Sequence, residues 1–206
     1  MNKDAKDETG DTALVAATRN NRLEVMRLLM DRRADLNQIG VEGLTALMIA
    51  VRNNQTSAVG ALLERRADPN ARSRGEATAL MYSAWLPDPA LARMLIMAGA
   101  DIHARDDHGR TALHWAASFD RTALAGLLIE SGTNLDAQTE PGHTALMIAT
   151  ARGNKEMVGL LLDRGAKTSL KDKAGKDALA WTAVYAESDI IEMLRARDRR
   201  EMRQTR

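Results

Sequence analysis

The chain has 206 residues, with 29 Lys and Arg against 28 Asp and Glu, so its net charge of +1 creates no global field that would attract nucleic acid. It has no cysteine, which excludes disulfides, thiolate metal sites and a cysteine nucleophile. No apolar run approaches the roughly 18 residues of a membrane span, and the N-terminal segment is too polar for a secretory leader. We therefore expect a soluble protein, cytoplasmic as the chain stands, or periplasmic or secreted if a leader was removed.

One short pattern organises the chain. It is most complete at residues 111–117, which read Thr-Ala-Leu-His-Trp-Ala-Ala, and its opening recurs at a constant interval of 33 residues. The copies begin at Thr12, Thr45, Thr78, Thr111, Thr144 and, with Asp in place of Thr, Asp177. An unbroken period of this length predicts a stack of repeated supersecondary units.

Each repeat is predicted to contain a short helix, a turn, a second helix and an extended loop. The opening Thr or Asp can cap the first helix by accepting hydrogen bonds from its free amides. The predicted first helices are Thr12–Asn20, Thr45–Asn53, Thr78–Leu86, Thr111–Phe119, Thr144–Arg152 and Asp177–Tyr185. The second helix shows apolar residues at helical spacing, as in Val25, Leu28 and Leu29, and a glycine such as Gly99 then ends it.

This reading divides the chain into a tail, six repeats and a basic end. Residues 1–7 are predicted to be disordered, and the repeats cover about 8–40, 41–73, 74–106, 107–139, 140–172 and 173–198. Residues 199–206 are predicted to form the end of a basic helix or a tail. Because residues 195–206 include six Arg, we expect a polar terminal helix that closes the last apolar face of the stack.

These units resemble the ankyrin repeat. The matching residues are Asp107, Gly109 and 111–117, then the Leu-Leu-Ile run at 127–129 and the Gly-Ala-Asp ending at 99–101. The resemblance extends over roughly residues 8–198. It implies an all-α solenoid of helix-turn-helix units joined by β-hairpin-like loops. The Thr-Ala-Leu-Met variant is similar to the form met in bacterial ankyrin proteins.

Three departures from the family pattern carry expectations. The family's His after Leu occurs only as His114, which we expect to be structural and to bond to its Thr. Arg33 and Arg66 replace the helix-ending glycine, and a non-glycine residue in the left-handed conformation costs about 1–2 kcal/mol. The first two repeats are therefore expected to be the less stable end. In the third repeat Gly75 comes one place early and Glu76 takes its usual position, so we expect an irregular loop there.

Catalysis is not indicated. The sequence contains no motif for a nucleophile with an oriented base, and no glycine-rich phosphate loop follows a predicted strand. The four histidines are not spaced as a zinc set along one helix. We expect no enzyme activity, no cofactor and no metal ion.

The resemblance implies a non-enzymatic scaffold, expected to be a monomer, that binds a partner protein on its concave face. In the family that face is formed by tip positions, four, three and one residue before each Thr, and helix positions, seven and eight residues after it. Aromatic residues and Arg are enriched in binding hot spots. At these positions we expect partner contacts from Arg52, Trp85, Leu86, His108, Arg110, Phe119, His143, Arg152 and Tyr185.

The aromatic residues leave an alternative open. Trp85 and Phe119 could pack only on neighbouring repeats. Tyr82, Trp115 and Trp181 lie four residues after the Thr position, and their helical spacing predicts that they are core residues.

Two other functions are less favoured. The Arg-rich segment 195–206 could bind nucleic acid, an acidic partner or a membrane surface, but Asp198 and Glu201 interrupt it, and such runs are usually solvated. An enzymatic or cofactor-dependent role is the least supported.

Overall fold

The computed structural model describes residues 4–184 and 188–204. Two compact units make up the chain, Met1–Asp107 and His108–Arg206. Within the described residues the regular structure is helical and contains no extended strand.

The first unit contains six α-helices and one 3₁₀ helix among its described residues. They are α1 (Ala13–Arg19), α2 (Leu23–Asp31), α3 (Ala46–Arg52), α4 (Thr56–Glu64), α5 (Ala79–Tyr82), a 3₁₀ helix (Ser83–Trp85) and α6 (Ala90–Met97). Helix α3 packs against α1, α4 and α5. Its apolar side chains, including Leu47 and Ile49, are fully buried. The predicted alternation of first and second helices is confirmed here.

The second unit repeats the arrangement. Its described helices are α7 (Ala112–Ser118), α8 (Thr122–Glu130), α9 (Ala145–Ala151), α10 (Lys155–Asp163), a 3₁₀ helix (Ala180–Val184) and α11 (Ser188–Gln204). Helix α9 packs against α7, α10 and the 3₁₀ helix. Helix α11 packs against α10, and its Ile190 and Leu194 are buried. The last helix therefore covers the apolar side of α10, as expected of a terminal cap.

The repeated Thr residues begin the first helices by capping them. The hydroxyl oxygens of Thr12, Thr45 and Thr144 each accept a hydrogen bond from the backbone N–H three residues later, at 3.2–3.3 Å. Asp177 accepts from the N–H of Ala180 at 2.9 Å, so the acid replaces Thr as predicted. Thr78 differs, because its Oγ1 is buried and has no hydrogen-bond partner in the described structure. The short α5 and the 3₁₀ turn that follows belong to this repeat.

Left-handed residues end the second helices. Arg33 and Arg66 have φ angles of 58° and 65°, so the predicted non-glycine residues in the left-handed region are confirmed.

In the loop of the third repeat, Glu76 also adopts a positive φ, of 59°. Its N–H donates to the carbonyl of Ser73 at 3.0 Å, as the N–H of Gly142 donates to Thr139 at 2.9 Å. The expectation of an irregular loop at Gly75-Glu76 is therefore wrong, because Glu76 accepts the strain that glycine avoids elsewhere.

The loop tips are linked by backbone hydrogen bonds. In the first unit the N–H of Arg74 donates to the carbonyl of Gly43 at 3.0 Å. In the second unit Glu140 donates to His108 at 3.0 Å and Lys173 donates to Pro141 at 2.9 Å. These bonds fix the spacing of neighbouring tips independently of their side chains.

The first loop includes residues that were expected to be in a tail. The backbone of Asp7 donates to Asp11 and accepts from Gly10, both at 2.9 Å. The Asp4 carboxylate accepts from the N–H of Asp35 at 2.8 Å. Among the described residues of the predicted tail, Asp4 and Asp7 therefore have hydrogen bonds to the first repeat.

Candidate functional site

In the first unit, Arg52 is held by an acidic neighbour. Its guanidinium bonds to Glu42, which also binds Arg19, and Arg19 in turn pairs with the buried Asp11 at 3.0 Å. The hydrogen bond from Arg52, supported by Arg19, lowers the pKa of the Glu42 carboxyl. Arg52 thus contributes to a network that joins the first two repeats.

Trp85 and Leu86 lie at the end of the third repeat's first helix. The Trp85 side chain is 43% exposed, and its ring meets Tyr82 edge-to-face with 5.8 Å between ring centroids. Leu86 is half-buried. The following turn is braced by Asp88, which accepts from the N–H of Ala90 at 2.9 Å. Trp85 therefore packs on its own repeat and still presents a large surface to solvent.

In the second unit, aromatic and basic side chains cluster on the fourth repeat. The guanidinium of Arg110 lies over the Trp115 ring, 4.9 Å from its centroid. Phe119 packs against the same Trp115 at 6.0 Å and is 41% exposed. A cation held over a ring gains an electrostatic attraction to the ring face. The tip residue Arg110 and the helix residue Phe119 are both positioned by Trp115.

A groove of about 300 Å³ lies in the same unit. Its residues come from the fourth, fifth and sixth repeats: Ser118, His143, Met147, Ile148, Ala151, Arg152 and Trp181. The structure thus brings together two of the residues predicted to contact a partner, the tip residue His143 and the helix residue Arg152. The floor of the groove is mainly apolar.

Asp172 lies next to two residues that line the groove, His143 and Trp181. This buried carboxylate accepts from the backbone N–H groups of Ala174 and Lys176, both at 2.9 Å, and from the indole N–H of Trp181 at 3.1 Å. The Nε2 of His143 lies 3.9 Å from its Oδ2. The bond from the Lys176 N–H is the main cause that lowers the pKa of Asp172. The lowered pKa keeps the carboxylate ionised, and its hydrogen bond to the indole holds Trp181 in place at the groove.

The Trp181 ring contacts the side chains of two tip residues, His143 and Lys176. Its ring meets His143 edge-to-face, with 4.7 Å between centroids. The Nζ of Lys176 is 5.7 Å from the centroid of the same ring. The tip residues of the last two repeats are therefore packed against one indole.

The prediction that Tyr82, Trp115 and Trp181 are core residues is wrong. All three are half-buried, and Trp181 lines the groove. In α7 the buried positions are one, two, three, five and six after Thr111, which leaves position four on the outer side. Position four lies one helical turn before positions seven and eight, so it belongs to the same face. This spacing is readable in the sequence and could have identified these residues as part of the site.

Two other histidines considered in the sequence, His108 and His114, do not line the groove. His108 is exposed. Tyr185 lies outside the described residues. His114 is buried; its Nδ1 accepts from the N–H of Thr111, and its Nε2 donates to the carbonyls of Ala137 and His143. The predicted structural role of His114 is confirmed.

The Arg-rich end is bonded to the rest of the second unit at one residue, Asp198, and exposes some of its Arg side chains. The hydroxyl of Thr168 donates to the Asp198 carboxylate, which ties α11 to the preceding loop. Arg195 and Arg199 are exposed, whereas Arg197 is half-buried. Among the described residues, no helix is long and apolar enough to cross a bilayer.

Family models match most of the chain. A model of three ankyrin repeats covers residues 1–73 and 126–204, a model of many ankyrin repeats covers 62–116, and a single-repeat model covers 108–140. The chain belongs to the ankyrin repeat family. No curated protein matches it closely enough to count as a relative.

The family assignment confirms the predicted fold class, an all-α solenoid of ankyrin type. Ankyrin repeats are in general protein-protein interaction modules, and the proteins that contain them are typically non-enzymatic. Another protein is therefore the kind of partner that the family assignment favours for the groove.

Proposed function

We propose that this ankyrin repeat protein is a non-enzymatic scaffold that binds a partner protein through the second unit. The binding surface, called the groove face below, consists of the groove residues and their neighbours: Arg110, Ser118, Phe119, His143, Met147, Ile148, Ala151, Arg152 and Trp181. The observation that carries the proposal is the groove itself, whose mainly apolar lining also includes Arg152 and His143. Interfaces combine an apolar centre, aromatic and Arg anchors and a polar rim.

The polar groups of the groove favour binding over catalysis. The Asp172 carboxylate is occupied by two amides and an indole N–H, and His143 is packed against the Trp181 ring. A general base must reach a reacting proton, and its neighbours must leave it available. These groups instead stabilise the shape of the surface.

The first unit offers a second contact area for the same role. Trp85 and Leu86 are held by the braced turn at Asp88, and Trp85 exposes much of its ring. We include both residues in the proposal, together with the exposed tip residue His108. Arg52 contributes less directly, because Glu42 already binds its guanidinium.

Photo-crosslinking tests this proposal. The photoreactive residue p-benzoylphenylalanine is placed at Phe119 or at Arg152, and the full chain is irradiated in an extract of its native cells. The matched control carries the same group at Glu130, an exposed residue on the second helix of the fourth repeat. We expect the same protein adduct from positions 119 and 152 and none from position 130.

The possible results separate the functions. Adducts that form equally at position 130, or no protein adduct at all, would contradict the proposal. Adducts that disappear after nuclease treatment would instead identify a nucleic acid ligand.

A further inference from the structure

We infer that the groove face recognises an acidic protein segment that places an apolar side chain in the groove. This inference rests on the proposed function and adds the chemistry of the partner. It is carried by the lining of the groove and by the charges of the tip and helix positions around it.

The floor of the groove selects for an apolar side chain. Met147 is buried, Ile148 and Ala151 are half-buried, and Trp181 adds an aromatic wall. A volume of about 300 Å³ is at the lower end of ligand pockets, which range over roughly 300–1,000 Å³. It suits one or two side chains of an extended segment better than a cofactor. Methionine adapts its shape to the group it contacts, so the floor can accept aliphatic and aromatic side chains.

The rim selects for negative charge. The tip and helix positions of the fourth, fifth and sixth repeats contain four cationic residues, Arg110, Arg152, Lys173 and Lys176, and two acidic residues, Asp107 and Glu140. The Asp172 oxygens are not available to pair directly with a basic partner, because the carboxylate is buried and hydrogen-bonded to the fold. The whole chain has a net charge of only +1, so this excess is local.

The first unit provides the contrast. The corresponding positions of the first three repeats contain Glu8, Asp11 and Glu42 beside Arg19, Arg52 and Arg74, so acids and bases are equal in number there. Asp11 and Glu42 pair with Arg19 and Arg52. These four charges therefore serve contacts between the first two repeats, and the excess of cationic over acidic positions occurs in the last three repeats.

Two of the rim cations are positioned by aromatic rings. Arg110 lies over Trp115 and Lys176 lies near Trp181, so part of the freedom of these long side chains is lost before binding. A partner carboxylate then meets a partly ordered cation. Because exposed ion pairs contribute little individually, the apolar side chain anchors the segment and the charges guide and select it.

The same ring contacts favour a protein over a nucleic acid. Single-stranded nucleic acid binding relies on bases stacked on exposed aromatic faces. Both His143 and Lys176 lie against Trp181, and Glu140 would repel phosphates at the tips. An acidic peptide needs no base-stacking platform, and its side chain can use the apolar floor.

A random peptide library displayed on phage and selected on the full chain gives an unbiased test. We expect enriched sequences in which Asp or Glu flank Leu, Ile, Phe or Trp. An enriched peptide is then synthesised with a fluorescein label, and its Kd is measured by anisotropy. The probe set includes the same peptide with Lys at the acidic positions, the same peptide with Ala at the apolar position, and a labelled oligonucleotide of equal charge.

The chain supplies a matched pair of variants. Arg152 is the C-cap residue of α9 and Arg164 is the C-cap residue of α10, and both are exposed. Arg152→Glu and Arg164→Glu make the same change of charge at equivalent helix ends, but only Arg152 lines the groove. We expect the Kd of the acidic peptide to rise at least tenfold for Arg152→Glu and to stay within twofold for Arg164→Glu. Ala151→Trp, which fills the groove, should also weaken binding at least tenfold, with folding checked by circular dichroism.

Several results would overturn the inference. These are enrichment of basic or uncharged peptides, no enrichment, equal effects of the two Arg variants, no effect of replacing the apolar residue, or tighter binding of the oligonucleotide. If protein adducts still form at positions 119 and 152 in such a case, only the partner chemistry is wrong. If they do not form, the proposed function fails as well.

Discussion

The Nδ1 of His114 lies 3.1 Å from the backbone nitrogen of Thr111 and accepts its hydrogen bond. Because Nδ1 is the acceptor, the ring proton is on Nε2, which lies 3.0 Å from the carbonyl oxygen of Ala137 and 3.1 Å from that of His143. One side chain thus joins the start of α7 to the loop between α8 and α9, which leads from the fourth repeat into the fifth. That loop ends at His143, which lines the groove.

His114→Met is expected to lower the free energy of unfolding by about 1–3 kcal/mol, the cost of leaving buried hydrogen-bonding groups unsatisfied. In the fifth repeat the sulfur of Met147 accepts from the N–H of Thr144 at 3.5 Å, so Met can replace Nδ1 but not the donor Nε2. The measurement is urea unfolding. The exposed His103 serves as control, and an equal loss in His103→Met would contradict the structural role of His114.

Thr45→Val and Thr78→Val should have different effects. Thr45 loses a cap to the N–H of Met48, which costs about 1 kcal/mol. The buried hydroxyl of Thr78 has no partner in the described structure, so its removal should be neutral or stabilise the protein by up to about 1 kcal/mol. Urea unfolding of the two variants under the same conditions gives the comparison. Equal destabilisation would mean that Thr78 caps its helix after all.

Arg66→Gly should raise the free energy of unfolding by about 0.5–1 kcal/mol, because glycine adopts the left-handed conformation without strain but loses more entropy on folding. The reverse experiment is available at Gly99, where φ is 89° and an added Cβ would meet no atom within 4 Å. Gly99→Ala should therefore cost about 1 kcal/mol from the backbone alone. If Arg66→Gly destabilises the protein, contacts of the Arg66 side chain outweigh the strain.

Asp172→Asn should make stability less dependent on pH in acid. The pKa of Asp172 is lowered in the folded state, chiefly by the Lys176 N–H. A carboxyl with a lowered pKa stabilises the fold above its unfolded pKa of about 3.9, and the contribution is lost as the pH falls through the folded value. We expect wild type to be the more stable protein at pH 6–7 and the difference to shrink below about pH 4. Urea unfolding from pH 3 to pH 7 measures it, and a difference that stays constant would show that the charge is not responsible.

Much of the fold was predictable because the signals are local and repeated. Only a few adjacent residues determine each of these features: the Thr caps, the alanine-rich first helices and the left-handed Arg33 and Arg66. The 33-residue period shows the same local signals again in each repeat, which strengthens the prediction. Thr78 shows the limit. Its sequence context matches the other copies, and the loss of its cap depends on how α5 tightens into the 3₁₀ turn, which no local pattern specifies.

The sequence could predict which repeat positions contribute to the candidate site, but not which side chains come together in the groove. His143 and Arg152 were expected to face a partner from their places in the repeat, and both line the groove. For Trp181, the helical spacing from Asp177 predicts a core residue, which the structure does not show. Its actual place depends on Asp172, which draws the indole N–H towards the loop, and on neighbours from adjacent repeats. Such contacts between repeats leave little trace in the spacing within one repeat.

The tips of the second unit are held by their main chains, through the bonds from Glu140 to His108 and from Lys173 to Pro141. Every residue type except proline can donate such a bond, so the amino acids at positions 140 and 173 can be exchanged without changing the spacing of the tips. The side chains of these tips and the spacing of the tips are thereby separable in this molecule. Substitutions at positions 140 and 173 change the surface of the tips and leave their main-chain spacing as it is.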